Sequence, residues 1–163
     1  MSSNHISIRR TQKSDLEQLL SFGKSMFDAE KKFFPLLTYS VSEAHERYEK
    51  QISDERFLFL IAELDQQPVG YLYAHLDSLG YVSIFQPRCE IEVVYVEPQV
   101  RGRGVAQQLI GQAISWAQEH HAFQVTAGIF AENELSKHAF ERSGFSTWHI
   151  TYAKVLAVTS NPE

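Results

Sequence analysis

Residues 94–107, VYVEPQVRGRGVAQ, constrain this chain more than any other stretch. An apolar run is stopped by Pro98, glycines at 102 and 104 free the backbone, and a helical pattern opens immediately afterwards. Val105, Leu109, Ala113 and Trp116 recur at helical spacing with Ala106, Ile110, Ile114 and Ala117 beside them, which gives that helix one wide apolar face. A strand, a glycine turn and a helix in this order can bind an anion. The first N–H groups of the helix have no intrahelical partner, and the macrodipole adds positive potential, so a diphosphate can settle there. Arg101 and Arg103 can add charge-assisted bonds, and a Cβ at position 104 would hold phosphates away from the backbone donors. Two rival glycine motifs fail on spacing: GxGxxG would need glycine where Gln107 stands, and a Walker loop needs a GK[ST] that the chain lacks. On the local residues alone, a glycine-rich turn without a ligand is the competing reading.

The rest of the chain sets this turn in a regular order. Ile6 and Ile8 alternate with polar neighbours over residues 5–10, which predicts a short strand. Ser14 and Glu17 have capping-box spacing, and Leu16, Leu19, Leu20 and Phe27 predict a helix over 14–27. Pro35 interrupts the aromatic segment 33–39, and a polar helix is expected from Ser42 through Tyr48 to Ser53. Residues 57–64 and 69–76 read as a hairpin around Asp65, Gln66, Gln67 and Pro68, and residues 90–96 as a third strand in succession. After the amphipathic helix come a strand over 123–129, a short helix over 133–142 closed by Gly144, and a final long strand over 145–156. This alternation predicts an α/β fold in which a central mixed sheet is flanked by helices on both faces. No repeat or linker divides the chain, so residues 1–163 are expected to form a single domain.

Composition narrows the function classes. Fifteen Lys and Arg against twenty Asp and Glu give a formal charge of −5, which opposes nucleic-acid binding. Cys89 is the only cysteine, so neither an internal disulfide nor a cysteine-rich zinc site can be built. Seven scattered histidines show no ligand spacing, and no metal is expected. His120 and His121 read as surface residues complementing a helix C-terminus. Residues 1–10 lack an apolar signal core, and no run approaches the ~20 residues that span a bilayer, so a cytoplasmic protein without a membrane partner is expected.

Arg101-Gly102-Arg103-Gly104-Val105-Ala106 resembles the R/Q-x-x-G-x-G/A signature of the GNAT superfamily, the Gcn5-related N-acetyltransferases that use acetyl-CoA. A second block, Asn133 followed by Phe140-Glu141-Arg142-Ser143-Gly144-Phe145, is similar to that family's N-x-x-A…Y-E-K-x-G-F segment. The resemblance covers nearly the whole chain and implies a splayed sheet with acetyl-CoA as cosubstrate. It implies that the backbone donors of Gly102, Arg103, Gly104, Val105, Ala106 and Gln107 hold the CoA pyrophosphate, with Arg101 beside them. By the same resemblance, the main chain of Val94, Tyr95 and Val96 pairs with the pantetheine arm, and Asn133 reaches that arm or the departing thiol. The family's usual general acid is a tyrosine where this chain has Phe140, and a phenyl ring cannot donate a proton.

Acetyl transfer to an amine needs a neutral nitrogen, which a carboxylate can provide by accepting its proton. In a regular strand Glu90, Glu92, Val94 and Val96 share one face while Ile91, Val93 and Tyr95 share the other. Glu92, nearer the glycine turn, is the candidate base, and the resemblance supports it; Glu90 is the reserve. The same glutamates also fit a plainer role, binding a cationic substrate or solvating an exposed strand. Cys89 falls on the face opposite Glu90 and suits a core position better than a nucleophile. Phe27, Phe33, Phe34 and Tyr39 fit either an acceptor pocket or a loop packed on the core, and specificity is expected there and in the loop 77–87. The favoured reading is acetyl transfer to a small primary amine by direct attack in a ternary complex. A protein or peptide acceptor, or a sensor that binds acyl-CoA with weak turnover, are the alternatives, and an exposed terminal strand is open to pairing in a homodimer.

Overall fold

The structure, a computed structural model, describes residues 5–77, 87–154 and 156. Its elements are β1 (Ile6–Arg10), α1 (Leu16–Glu30), α2 (Val41–Gln51), β2 (Phe57–Leu64), β3 (Gln67–Asp77), β4 (Arg88–Val96), α3 (Val105–Glu119), β5 (Gln124–Ala127) and α4 (Glu134–Arg142). The five strands form one sheet in chain order. Pairing is antiparallel from β1 to β4 and parallel between β4 and β5, because α3 carries the chain back across the sheet before β5 begins.

Each face of the sheet is apolar and each is covered. Leu58, Leu60, Leu72, Ala74 and Ile91 meet Leu109, Ile110, Ala113 and Trp116 of α3, and Phe140 of α4 joins the same cluster. On the other face Phe59, Tyr71, Tyr73, Val93 and Tyr95 pack against Leu16, Leu19, Leu20 and Phe22 of α1 and Tyr48 of α2. The expected mixed sheet with helices on both faces is therefore present, and its layers follow from the two periodicities that pick out those side chains.

Several local expectations differ from what forms. The first helix starts later than residue 14, after a 3₁₀ turn at Lys13–Asp15, with the capping box at Gln12 and Asp15 rather than Ser14 and Glu17. It also runs past Phe27 to Glu30, and α2 is capped by Ser40, whose hydroxyl accepts the Glu43 N–H at 3.4 Å. The hairpin turn is two residues long, with Asp65 and Gln66 at φ 51° and 67°, so Gln67 and Pro68 already belong to β3. β5 covers only residues 124–127 of the expected 123–129. The expected final strand over 145–156 does not form among the described residues: positions 146–154 lie outside any strand and are exposed. A strand exists only through a neighbour's hydrogen bonds, and among the described residues the segment has no backbone partner.

Candidate active site

The site is made where β4 and β5 part. Their parallel pairing covers Arg88 to Ile91 of β4 against Gln124 to Ala127 of β5 and stops there, so among the described residues, positions 92–96 have no strand neighbour on that side. Pro98 ends β4 and the glycine turn follows, with Gly102 and Gly104 at φ 78° and 80°. Left-handed backbone at both positions explains why glycine stands there. A Cβ built on Gly104 would meet no protein atom within 4 Å, so glycine is required by φ and not by crowding within the protein. The first intrahelical bond of α3 runs from Gln108 N–H to Gly104 O at 3.1 Å, which leaves the preceding N–H groups for a ligand.

A groove of about 310 Å³ lies along this opening. One wall is Val94, Tyr95 and Val96 of β4; the floor is Arg101, Gly102, Gly104, Val105, Ala106 and Gln107; the far wall is Asn133, Ser136, Ala139 and Phe140 at the start and inner face of α4. Met26, Ala29, Glu30, Lys32 and Phe33 close it from the α1 side. Every cofactor-site residue expected from sequence lines this groove except Arg103, which is exposed outside it. The Arg101 guanidinium bonds the Val96 carbonyl at 2.9 Å, tying the turn to the end of β4. Asn133 caps α4 by accepting the Ser136 N–H at 3.2 Å, so its carbonyl oxygen is engaged within the helix start.

The strand face expected for Glu92 needs correction. Tyr73 pairs with Val93 and Ala74 with Ile91, which makes Glu92 the extra residue of a β-bulge. The bulge resets the alternation: Cys89, Ile91, Val94 and Val96 face α3, whereas Val93 and Tyr95 face α1 and α2. Glu92 does not share a face with Val94 and Val96. Its carboxylate instead lies 3.6 Å from Nδ1 of His75, beside the stacked rings of Phe57, Tyr73 and His75, and its side chain is 47 % exposed. Glu90 is committed elsewhere, since Arg88 donates to it at 2.9 Å and to Asp77 at 3.0 Å.

Cys89 is buried, and burial pushes its thiol up to about 12, so it is a core residue and not a nucleophile. The aromatic set divides: Phe33 lines the groove and stacks on Phe130 at 5.8 Å, while Phe27 packs on Tyr39 at 4.9 Å away from it. Burial raises the Tyr39 phenol to about 12. His120 packs on Trp116 with its Nδ1 2.8 Å from that residue's carbonyl, a local helix-end contact. Sequence reasoning missed Glu30, whose carboxyl is raised by burial in the groove wall. The signal was weak, because Glu30 lies beyond the expected end of α1. Most of the loop 77–87 expected to tune specificity lies outside the described residues. Among the described residues no cluster of His, Cys, Asp or Glu could hold a metal, and no helix is long and apolar enough to cross a membrane.

Residues 23–145 match the sequence profile of the Acetyltransferase (GNAT) family. The chain belongs to that family. An uncharacterized N-acetyltransferase of Methanocaldococcus jannaschii is 29 % identical over 89 residues, which is 53 % of this chain and 38 % of the relative, so the match spans well under half of that protein. Among solved structures, the aminoglycoside N-acetyltransferase AAC(6')-Iy in complex with CoA superposes with a TM-score of 0.72 at 23 % identity, over 93 % of this chain and 96 % of the other. A mutant of the BH1408 protein from Bacillus halodurans gives 0.80 at 17 % identity, over 93 % and 99 %. At these identities the structural likeness establishes the GNAT fold, and the groove of this GNAT domain occupies the opening its sheet provides.

Proposed function

We propose that this GNAT domain transfers acetyl from acetyl-CoA to the primary amine of a small molecule by direct attack in a ternary complex. The observation that carries the reading is the open β4 edge ending in the glycine turn, with a bulged glutamate at its other end. Bound acetyl-CoA supplies an acetyl thioester, whose carbonyl carbon accepts the amine and whose sulfur departs as thiolate. The backbone donors of residues 102–107 suit the diphosphate, with Arg101 adding charge, and the free main-chain groups of Val94, Tyr95 and Val96 suit the amides of an extended arm. Asn133 borders the same groove, with amide hydrogens left after its oxygen has capped α4.

Glu92 takes the amine proton. The bulge aims it to the face of α1 and α2, beside His75, where the neighbouring Tyr73 and Phe57 rings already carry the Arg47 and Arg56 guanidinium groups at 5.8 and 5.7 Å. Glu90 is the poorer base because Arg88 stabilises its charge. Phe140 supplies no proton, so either another hydroxyl or water protonates the thiolate or it leaves unassisted, which is tolerable for a thiol of pKa about 8.5. An acetylated cysteine on the path is disfavoured by the burial of Cys89 on the α3 side. The CoA-bound aminoglycoside acetyltransferase of the same fold agrees with a small-molecule acceptor.

Release of free CoA thiol from acetyl-CoA, followed over small amines, amino acids, aminoglycosides and short peptides, tests this. Acceptor-dependent release with a small amine is expected. Release only with peptides moves the acceptor to proteins. Thermal stabilisation by acetyl-CoA without turnover for any amine supports the sensor reading that Phe140 motivates.

A further inference from the structure

We propose that His75 stands behind Glu92 as a proton store: the carboxylate takes the amine proton and passes it to Nδ1 of the imidazole. His75 acts through Glu92 as a positioning residue, and its role rests on Glu92 being the base. Nδ1 of His75 is shut off from solvent and has no hydrogen-bond partner among the described residues. A buried nitrogen without a partner is costly, so the site points to a partner or a proton that arrives during function. The Glu92 carboxylate stands 3.6 Å from it, longer than a hydrogen bond, as catalytic contacts often are until substrate tightens them. The glutamate side chain is 47 % exposed and free to turn, whereas the imidazole is fixed between Phe57 and Tyr73, each with its ring centroid 6.2 Å away.

The surrounding groups leave this pairing open. In register His75 faces Glu90, but Arg88 donates to that carboxylate at 2.9 Å and to Asp77 at 3.0 Å, and the bulge brings Glu92 to the imidazole instead. From α2, Arg47 lies over the Tyr73 ring at 5.8 Å and Gln51 accepts the Tyr73 hydroxyl at 3.2 Å, while Arg56 lies over Phe57 at 5.7 Å. Burial raises the Tyr73 phenol to about 12, so it keeps its proton at neutral pH. An ordinary carboxylate, near 4.3, holds a proton poorly at pH 7, and an ordinary imidazole, near 6.5, holds it about 100-fold better. In the Nε2–H tautomer, Nδ1 has the lone pair this transfer needs. The ammonium N–H bond breaks, the proton goes to Glu92 and on to Nδ1, and the pair becomes imidazolium and carboxylate. The neutral amine then attacks the thioester, and the stored proton leaves to water when the products go.

The test is kcat against pH for wild type, His75→Phe, His75→Gln and Glu92→Gln, with the acceptor that thiol release identifies. His75→Phe keeps a ring in the stack and removes the nitrogen, and His75→Gln keeps a polar group that does not titrate. Thermal stabilisation by acetyl-CoA shows that each variant is folded, and His75→Gln carries the test if the phenyl ring is not accommodated. In wild type, kcat should rise with pH through an inflection in the imidazole range, about 6–7, because below it the pair already holds its proton. In the His75 variants the inflection should drop below about 5 and kcat at pH 7 should fall about 10-fold, with the acetyl-CoA KM within about twofold of wild type. An inflection that stays in place overturns the role of His75 even if kcat falls, since lost packing slows a reaction without moving its profile. Glu92 then remains the base as long as Glu92→Gln lowers kcat. A Glu92→Gln protein with wild-type kcat and profile removes the base and the role of His75 together, and so does an absence of turnover with every amine.

Discussion

Glu92 shows how one added residue in a strand decides which way a side chain points. Simple alternation placed it beside Val94 and Val96, and the bulge opposite Tyr73 and Ala74 turns it toward His75. No pattern of apolar and polar residues marks a bulge, so the residue type was legible in the sequence and its direction was not. Glu92→Gln should lower kcat by about 100-fold or more and leave acetyl-CoA affinity nearly unchanged, because the groove wall begins at Val94. An unaltered pH–rate profile would remove Glu92 from the base role. Phe140→Tyr asks about the other proton. If the thiolate leaves unassisted, kcat at neutral pH stays within about twofold, and a rise of tenfold or more would show that protonation limits the wild type. Gly104 was legible in position, and its left-handed backbone at φ 80° is the reason glycine stands there. An alanine there meets no protein atom but must adopt φ near 80°, so Gly104→Ala should cost about 1 kcal/mol of stability and weaken acetyl-CoA binding, both measurable by thermal shift with and without ligand.

The elements hold their places through a few contacts that sequence patterns do not display. Arg9 on β1 donates to both oxygens of Asp15 at 2.7 and 2.9 Å and to Glu63 on β2 at 2.9 Å, fixing the start of α1 to the sheet edge. Hydrogen bonds from Arg9 hold the Asp15 carboxyl below its ordinary 3.8, helped by the Gln12 N–H. A carboxyl lowered in the folded state contributes stability that is complete above its unfolded value and is lost as pH falls through the folded one. Asp15→Asn should therefore cost about 1 kcal/mol at neutral pH, kept small because the Arg9 side chain is 38 % exposed, and the two proteins should converge in acid. Urea unfolding at several pH values checks this; a difference that persists in strong acid would assign the effect to packing. Strand and helix order was legible because core faces repeat at two and 3.6 residues. The last strand was not, since Trp148, Ile150 and Tyr152 have a strand's alternation but only a neighbour can make the strand.

At the scale of the whole molecule, the sheet is two parts joined by a short parallel seam. β1 to β4 form one continuous antiparallel unit, and among the described residues β5 pairs with it through residues 88–91. Beyond that seam the cohesion between β4 and the α3–α4 side comes from the core around Leu109, Ile110 and Phe140, with the groove between them. A ligand that pairs with residues 94–96 and rests on the glycine turn spans both sides, so binding and folding are coupled. At a concentration 100-fold above Kd it should add about 2.7 kcal/mol, which for a domain this size is a Tm rise of roughly 5–11 °C. The gain should be local as well as global. Amide hydrogens of residues 92–96 that point away from β3 have no strand partner among the described residues, so they should exchange quickly in the free protein and slow on addition of acetyl-CoA. Those pointing toward β3 should be protected in both states. Hydrogen exchange read by NMR separates the two sets. Equal protection of both without ligand would mean that the strands close in solution, and the opening would then have to be made by the cosubstrate instead of being provided by the fold.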